Sequence, residues 1–128
     1  ADIAVEALEE IANVIPELPA ACHELAKILS GDDPASAFGQ FNQFLDIWEV
    51  LKEREAQVVN LLELDLQTIN VSSGTVAQHD AALSSHVQRA RKCMESSDFP
   101  GLSDLLSHDL SELAEIEEEI IAQLKAKL

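Results

Sequence analysis

An apolar repeat of three or four residues between Pro34 and about Asn70 constrains the fold of this chain more than any other feature. Because an α-helix turns once in about 3.6 residues, such steps place side chains on one helix face. The row consists of Phe38, Phe41, Leu45, Trp48, Leu51, Val58, Leu62, Leu66 and Ile69. A second row widens this face and consists of Phe44, Ile47, Val59 and Leu61. A face this broad needs cover on more than one side, so the pattern predicts a long central helix against which other helices pack.

The first helix is predicted over residues 2–30, where Asp2 can cap the start and apolar residues recur in steps of three and four. This apolar seam is formed by Leu8, Ile11, Ile15, Leu18, Cys22, Leu25 and Leu29. Pro16 and Pro19 interrupt the backbone hydrogen bonding. The pattern therefore fits either a helix that ends near Val14 and restarts at Pro19 or a single kinked helix. We favour the kinked helix because the seam continues in phase across both prolines.

Short polar segments separate the remaining helices. Gly31, Asp33 and Pro34 have the preferences of a C-cap, an N-cap and a first helical position, so the central helix is predicted over residues 34–70. Residues 71–75 indicate a loop in which Ser73 or Thr75 caps a third helix over residues 75–97. A turn that contains Pro100 leads into a fourth helix over residues 99–128.

Helices joined by such short connections place sequential neighbours antiparallel. We therefore expect one all-α domain over residues 1–128, an up-down-up-down four-helix bundle with a long central helix. The length of 128 residues is sufficient for a hydrophobic core without a metal or a disulfide. Hydrophobic residues at 47% and charged residues at 25% are typical of a folded domain, and no strand pattern is evident.

The balance of charge limits the classes of partner. The chain has 24 acidic and 8 basic residues and a net charge of −16, which disfavours binding of nucleic acid or of an anionic membrane through the general surface. A charged partner is expected to be basic. The ordinary alternative is that acidic helix faces are solvated and only confer solubility.

The expected location is the cytoplasm. No apolar run approaches the roughly 18 residues of a transmembrane helix, and residues 1–30 lack the basic and apolar regions of a signal peptide. Cys22 and Cys93 lie far apart in apolar surroundings, which suits reduced thiols, with a single disulfide as the alternative.

A resemblance covers part of the second half of the chain. Its motif is a Gly-containing loop at Gly74, a turn at Asp98-Phe99, and the sequence Leu102-Ser103-Asp104-Leu105-Leu106 followed by Asp109-Leu110. These residues resemble those of a group of small, acidic, all-helical bacterial proteins of uncharacterised function. In size, acidity and helical content the chain is also similar to export chaperones of bacterial flagellar and secretion systems. The resemblance implies an all-helical bacterial protein, and for a chaperone it implies an amphipathic partner helix.

His86 suggests an alternative function. Histidine phosphotransfer domains are acidic four-helix bundles of about this size with the motif His-x-x-Lys-Gly, and the sequence here is His86-Val87-Gln88-Arg89-Ala90. Phosphotransfer needs an exposed imidazole, a nearby cation and a small residue that admits the partner. Arg89 and Ala90 can serve, although both depart from the motif. A structural or solvent-facing histidine is the ordinary explanation.

Metal and cofactor sites are not expected. His79, His86 and Cys93 share a helix face, but their seven-residue steps separate them by about 10.5 Å each, too far to bind one ion. The Glu-x-x-His motif of di-iron bundles is absent, and so are a Gly-x-Ser-x-Gly motif and a phosphate-binding glycine loop. We therefore predict no metal, no cofactor and no catalytic residue.

Two sets of residues are candidates for partner binding. The aromatic row of Phe38, Phe41, Phe44 and Trp48 fits either the core, which is the ordinary explanation, or a groove for a partner helix. The acidic run of residues 117–119, which comprises Glu117, Glu118 and Glu119, indicates a solvated face that a basic partner would relieve. The prediction is a non-enzymatic interaction module, an adaptor or export-chaperone-like protein. It would bind an amphipathic or basic segment or a second copy, with a homodimer formed through an exposed apolar end of the central helix.

Overall fold

The computed structural model describes residues 2–72 and 74–128, without the side chain of Asp2. In chain order its elements are α1 (Asp2–Val14), α2 (Glu17–Leu29), a short 3₁₀ helix (Pro34–Ser36), α3 (Ala37–Leu61), β1 (Asn70–Val71), β2 (Gly74–Thr75), α4 (Val76–Glu95), α5 (Phe99–Asp104), a π-helical segment (Leu105–Asp109) and α6 (Leu110–Ala126). The predicted caps at the side chain of Asp2 and at Ser73 lie outside the described part. The all-α class is confirmed.

The first predicted helix is two helices. α1 ends at Val14 and α2 begins at Glu17, so a break replaces the kink we favoured over residues 2–30. Pro16 lacks an N–H group and cannot continue the hydrogen bonding of α1. Pro19 lies in the first turn of α2, where a donor is not needed. The turn is tight, since Leu18 N donates to Ile15 O at 3.0 Å, and the seam stays in phase across it.

The central helix is shorter than predicted. α3 ends at Leu61 rather than near Asn70 because Glu63 adopts a left-handed conformation with φ of 54°. A local turn follows, in which the Asp65 carboxylate accepts from Gln67 N at 2.9 Å. The apolar residues beyond Leu61 still cover the core, but they do so from an irregular connection, in which Ile69 is buried.

A two-residue antiparallel strand pair precedes α4, where only a loop was predicted. Asn70 pairs with Thr75 and Val71 pairs with Gly74, whose φ of 131° is accessible to glycine. Thr75 is confirmed as the cap: its hydroxyl accepts from Gln78 N at 3.1 Å, and the Gln78 side chain accepts from Thr75 N at 2.9 Å.

The helix predicted over residues 99–128 is present, but its hydrogen-bonding pattern changes from α to π over five residues and then back to α. Asp98 caps α5 by accepting from Gly101 N at 3.0 Å, and Pro100 occupies the first turn. The π-helical segment then inserts a wider turn before α6 continues to Ala126. This segment was not predicted, because the apolar repeat continues through it.

The helices pack unevenly around one core. α1 contacts α3 and α6, α2 contacts α3, α5 and α6, and α4 contacts α5 and α6. Within the described residues, α3 and α4 are not packed closely against each other. A gap therefore remains between them, with α6 behind it. In the described part of the chain, no helix combines the length and apolar character that crossing a membrane requires.

Candidate functional site

The gap between α3 and α4 forms a cavity of about 350 Å³, which we call the groove. Its walls are mainly apolar, and its floor is formed by Ile120 and Leu124 of α6. The other apolar walls include Leu45, Val59, Leu66, Leu83 and Val87. Cavities of this size with a few polar groups are the usual form of binding sites in proteins.

A group of ionisable side chains lies in and behind one wall of the groove. We call this group the charge cluster; its members are Lys52, Glu55, His79, Asp80 and Glu117. The Lys52 ammonium lies 2.7 Å from Glu55 Oε1, 2.7 Å from Asp80 Oδ1 and 3.0 Å from Glu117 Oε1. Lys52 donates hydrogen bonds to Glu55 and Glu117, and its contact with Asp80 is an ion pair in which Asp80 Oδ1 has no hydrogen-bond partner. Lys52 thereby links α3, α4 and α6.

Glu117 is the most buried carboxylate of the cluster. Its Oε1 atom accepts from Lys52, from Trp48 Nε1 at 3.2 Å and from His79 Nε2 at 2.9 Å. Burial alone raises the pKa of Glu117, but the hydrogen bonds from His79 and Glu55 and the charge of Lys52 outweigh it and lower this pKa to about 2. Glu117 is therefore ionised at neutral pH, and the His79 nitrogen that faces it carries a proton.

Glu55 behaves in the opposite way. Burial raises the pKa of Glu55 well above its ordinary value, the charge of Glu117 raises it further, and Lys52 opposes both effects. Glu55 Oε2 and Glu117 Oε2 are both buried without a hydrogen-bond partner. A proton on Glu55 provides the donor that these two oxygens lack, so the two carboxyl groups act as one pair that shares a proton.

Lys52 is not available as a nucleophile. Burial lowers its pKa, but the charges of Glu55, Glu117 and Asp80 outweigh burial and raise the pKa above its ordinary value. A lysine that stays protonated cannot attack a carbonyl group. The geometry of the cluster therefore supports binding and structural roles for this lysine.

Sequence reasoning missed three of the five cluster residues, considered His79 only as a metal ligand, and misassigned Glu117. The available signal was a polar residue at a core position of an otherwise apolar stripe. His79 lies between Val76 and Leu83 on the buried face of α4, and Glu55 lies between Leu51 and Val58 on that of α3. Polar residues at such positions on three helices indicate a shared buried network.

The acidic run does not form a solvated face as a whole. Glu117 is fully buried, so the prediction of solvent exposure is wrong for this residue. Three consecutive residues of a helix point in three directions, which places Glu117 on the core side. Glu118 is exposed, and Glu119 accepts from Ser72 N at 3.0 Å and from Ser72 Oγ at 2.7 Å.

The predicted aromatic row belongs mainly to the core. Phe41, Phe44 and Trp48 are buried, and Phe38 is half-buried against Phe99 at a ring-centroid distance of 5.7 Å. Trp48 also contributes to the wall of the groove. The groove is thus displaced from the aromatic row toward the α4 side of α3.

The histidine and cysteine candidates are dispersed. His86 is half-buried, with Arg89 Nη1 3.3 Å from His86 Nδ1, so the structure brings this pair together. Cys22 and Cys93 are free thiols, and burial raises the pKa of Cys22 to about 12. Over residues 2–72 and 74–128, no group of three or more His, Cys, Asp or Glu side chains has an arrangement that could hold a metal ion.

Comparison of the chain with protein-family models, with curated proteins and with solved structures finds no match.

Proposed function

We propose that the protein is a non-enzymatic interaction module whose groove binds an amphipathic, basic helical segment of a partner protein, as an adaptor or an export chaperone does. The observation that carries this proposal is the groove itself. Two helices flank an apolar gap, and a third helix forms its floor. An amphipathic helix that inserts its apolar side chains between two helices is a recurrent mode of recognition.

The proposal includes an architecture. We take α1 with α2, α3, α4, and α5 with α6 as the four rods of an antiparallel up-down-up-down bundle whose α3–α4 edge is open. Helices that pack fully lie about 8–10 Å apart, and ridges on one fill grooves on the other. A partner helix at the open edge would complete that packing.

Charge supports a basic partner. The chain carries a net charge of −16, and the acidic residues Glu49 and Asp80 lie along the groove. A basic helix would be steered toward this surface, at a rate that falls with increasing salt. Arg91 also lines the groove and would pair with an acidic residue of the partner.

The test uses two matched substitutions. Val87 is half-buried in the groove, whereas Val50 is exposed on a different face of α3. A photo-crosslinking amino acid at Gln88 identifies the partner segment, and calorimetry then measures its affinity. We expect Val87→Glu to weaken binding by tenfold or more, about 1.4 kcal/mol, and Val50→Glu to leave it unchanged. Equal effects of the two variants would overturn the proposal.

Self-association is measured in the same series. Sedimentation velocity of the wild type and both variants separates a groove that binds a partner from a surface that binds a second copy. A dimer that Val50→Glu abolishes and Val87→Glu preserves would place self-association at the exposed residues Ile47 and Val50 instead. The groove would then not be part of the homodimer interface.

Histidine phosphotransfer through His86 is the second candidate, and the contact between Arg89 and His86 favours it. Against it, His86 is half-buried, and Val87 beside it lines the groove. Incubation with a phosphodonor, with His86→Gln as the control, decides between the two functions. Acid-labile phosphate on the wild type that is absent from His86→Gln would replace the interaction proposal.

A further inference from the structure

The groove wall contains more negative charge than the cluster compensates. Three carboxylates, from Glu55, Asp80 and Glu117, surround the single ammonium of Lys52. Glu55 is 4% exposed, lines the groove and has an Oε2 atom without a hydrogen-bond partner. A buried carboxylate oxygen without a donor is costly, so either a proton or a second cation must satisfy it.

The charged groups of the cluster around Glu55 come from three helices. Lys52 lies on the same helix, His79 and Asp80 come from α4, and Glu117 comes from α6. Lys52 donates hydrogen bonds to Oε1 of Glu55 and of Glu117 and forms an ion pair with Asp80, and His79 Nε2 is engaged with Glu117. Asp80 Oδ1, like Glu55 Oε2, is buried without a hydrogen-bond partner. In this arrangement neither Lys52 nor His79 donates a hydrogen bond to Glu55 Oε2.

Asp80 provides the route of entry. Its side chain is 33% exposed and lies on the groove, whereas Glu117 behind it is fully buried. A cation that arrives along the groove therefore meets Asp80 first and Glu55 next.

We propose that Glu55 and Asp80 form a cation subsite in the groove, which takes the ammonium or guanidinium group of a basic side chain in exchange for the proton of Glu55. This inference rests on the proposed function and specifies its partner. On α4, Asp80 lies one turn from Leu83 and two turns from Val87, so the bound segment carries Lys or Arg about one turn from an apolar anchor.

The exchange has a defined proton balance. The neutral carboxyl group of Glu55 loses its proton to solvent, and the resulting carboxylate pairs with the incoming cation; no covalent bond forms or breaks. Burial raises the pKa of Glu55 well above its ordinary value, so at pH values below that raised pKa the proton is present before binding. Binding therefore releases up to about one proton, and the affinity increases with pH until Glu55 is ionised in the free protein.

The test uses small probes that share an apolar stem. Hexylammonium carries the cation, and 1-hexanol is its neutral counterpart. Methyl NMR of Leu83 and Val87 reports occupancy of the groove, and calorimetry in two buffers of different ionisation enthalpy measures proton release. We expect hexylammonium to bind about tenfold more tightly than 1-hexanol and to release protons on binding.

Two variants test whether the preference for hexylammonium over 1-hexanol depends on Glu55 and Asp80. In Glu55→Gln, and in Asp80→Asn as a second variant, the ratio of the two affinities is expected to approach one. Glu53→Gln is the matched control, since Glu53 is an exposed carboxylate on the same helix, and it should keep the full ratio. An equal effect of Glu53→Gln, a ratio near one in the wild type, or binding without proton release would each overturn the subsite.

The two proposals fail in different ways. If both probes occupy the groove with equal affinity, the cation subsite is wrong and the groove stands as an apolar docking site. If neither probe shifts the Leu83 and Val87 methyl signals, the subsite is wrong. If, in addition, Val87→Glu leaves partner binding unchanged, the proposed function is wrong as well.

Discussion

Two basic residues of α3, Lys52 and Arg54, meet carboxylates in contrasting surroundings. The Lys52 side chain is 19% exposed and contacts carboxylates of three helices, two of which are almost fully buried. Arg54 pairs with Glu10 of α1, and these side chains are 46% and 59% exposed. Residues two positions apart on a helix point about 200° apart, so one faces the charge cluster and the other faces water.

The contrast indicates that the burial of an ion pair, rather than its presence, decides how much the pair contributes to the free energy of unfolding. An exposed pair contributes about 0–1 kcal/mol because water and salt screen it. In a buried network, removing one partner leaves other charges without compensation, which costs about 3–5 kcal/mol. The two regions should therefore respond to the same kind of substitution with very different changes in stability.

The largest effect is expected for Lys52→Met. This substitution keeps most of the side-chain volume but leaves Glu55, Asp80 and Glu117 without their shared cation. We expect the free energy of unfolding to fall by about 3–5 kcal/mol. Urea denaturation followed by far-UV circular dichroism and by the fluorescence of Trp48 measures it. A loss below about 1 kcal/mol would show that the cluster is hydrated and behaves like a surface.

Acid should reveal the contribution of Glu117. Its pKa is lowered from 4.5 to about 2, so the stability that it supplies is present above about pH 4.5 and is lost as the pH falls toward 2. A shift of this size corresponds to about 3 kcal/mol. The difference between the wild type and Glu117→Gln, measured by urea denaturation across this range, isolates it from the other carboxylates. Parallel pH profiles of the two proteins would contradict this assignment.

Most helices were predictable because burying one face imposes a period on the sequence. Residues 75–97 and 99–128 lie close to α4 and to α5–α6, and Thr75 and Asp98 act as caps, as their side-chain chemistry favours. The end of α3 was not predictable in the same way. It depends on a left-handed Glu63, a residue that has no special preference for that conformation.

The site was harder to predict because its residues are polar side chains at positions where the helical repeat is otherwise apolar. The run of residues 117–119 was interpreted by its composition, as a charged surface, although position 117 falls on the apolar stripe between Leu113 and Ile120. Glu55 and His79 occupy equivalent positions on other helices. Which of them meet depends on how α3, α4 and α6 pack, and a single sequence does not specify that packing.

A smaller effect is expected for Glu55→Gln, which imitates the protonated carboxyl group. A raised pKa means that Glu55 contributes stability below about pH 4.5 that is lost as the pH rises through its folded-state pKa. We expect the variant to be within about 1 kcal/mol of the wild type near pH 4.5 and to lack the decline at higher pH. Urea denaturation near pH 4.5 and at higher pH measures the free energy of unfolding, with Glu53→Gln as the exposed control. A large loss near pH 4.5 would show that Glu55 is already ionised there and that its pKa is not raised.

The smallest effect is expected for Arg54→Ala, the counterpart of Lys52→Met on the exposed face. A double-mutant cycle with Glu10→Ala should give a coupling energy of about 0.5 kcal/mol or less at low salt and almost none at high salt. Chemical denaturation of the four proteins measures it. A salt-insensitive coupling of several kcal/mol would mean that exposure does not distinguish the two ion pairs. The contrast between Lys52 and Arg54 would then need another cause, such as the contacts of Lys52 with carboxylates of three separate helices.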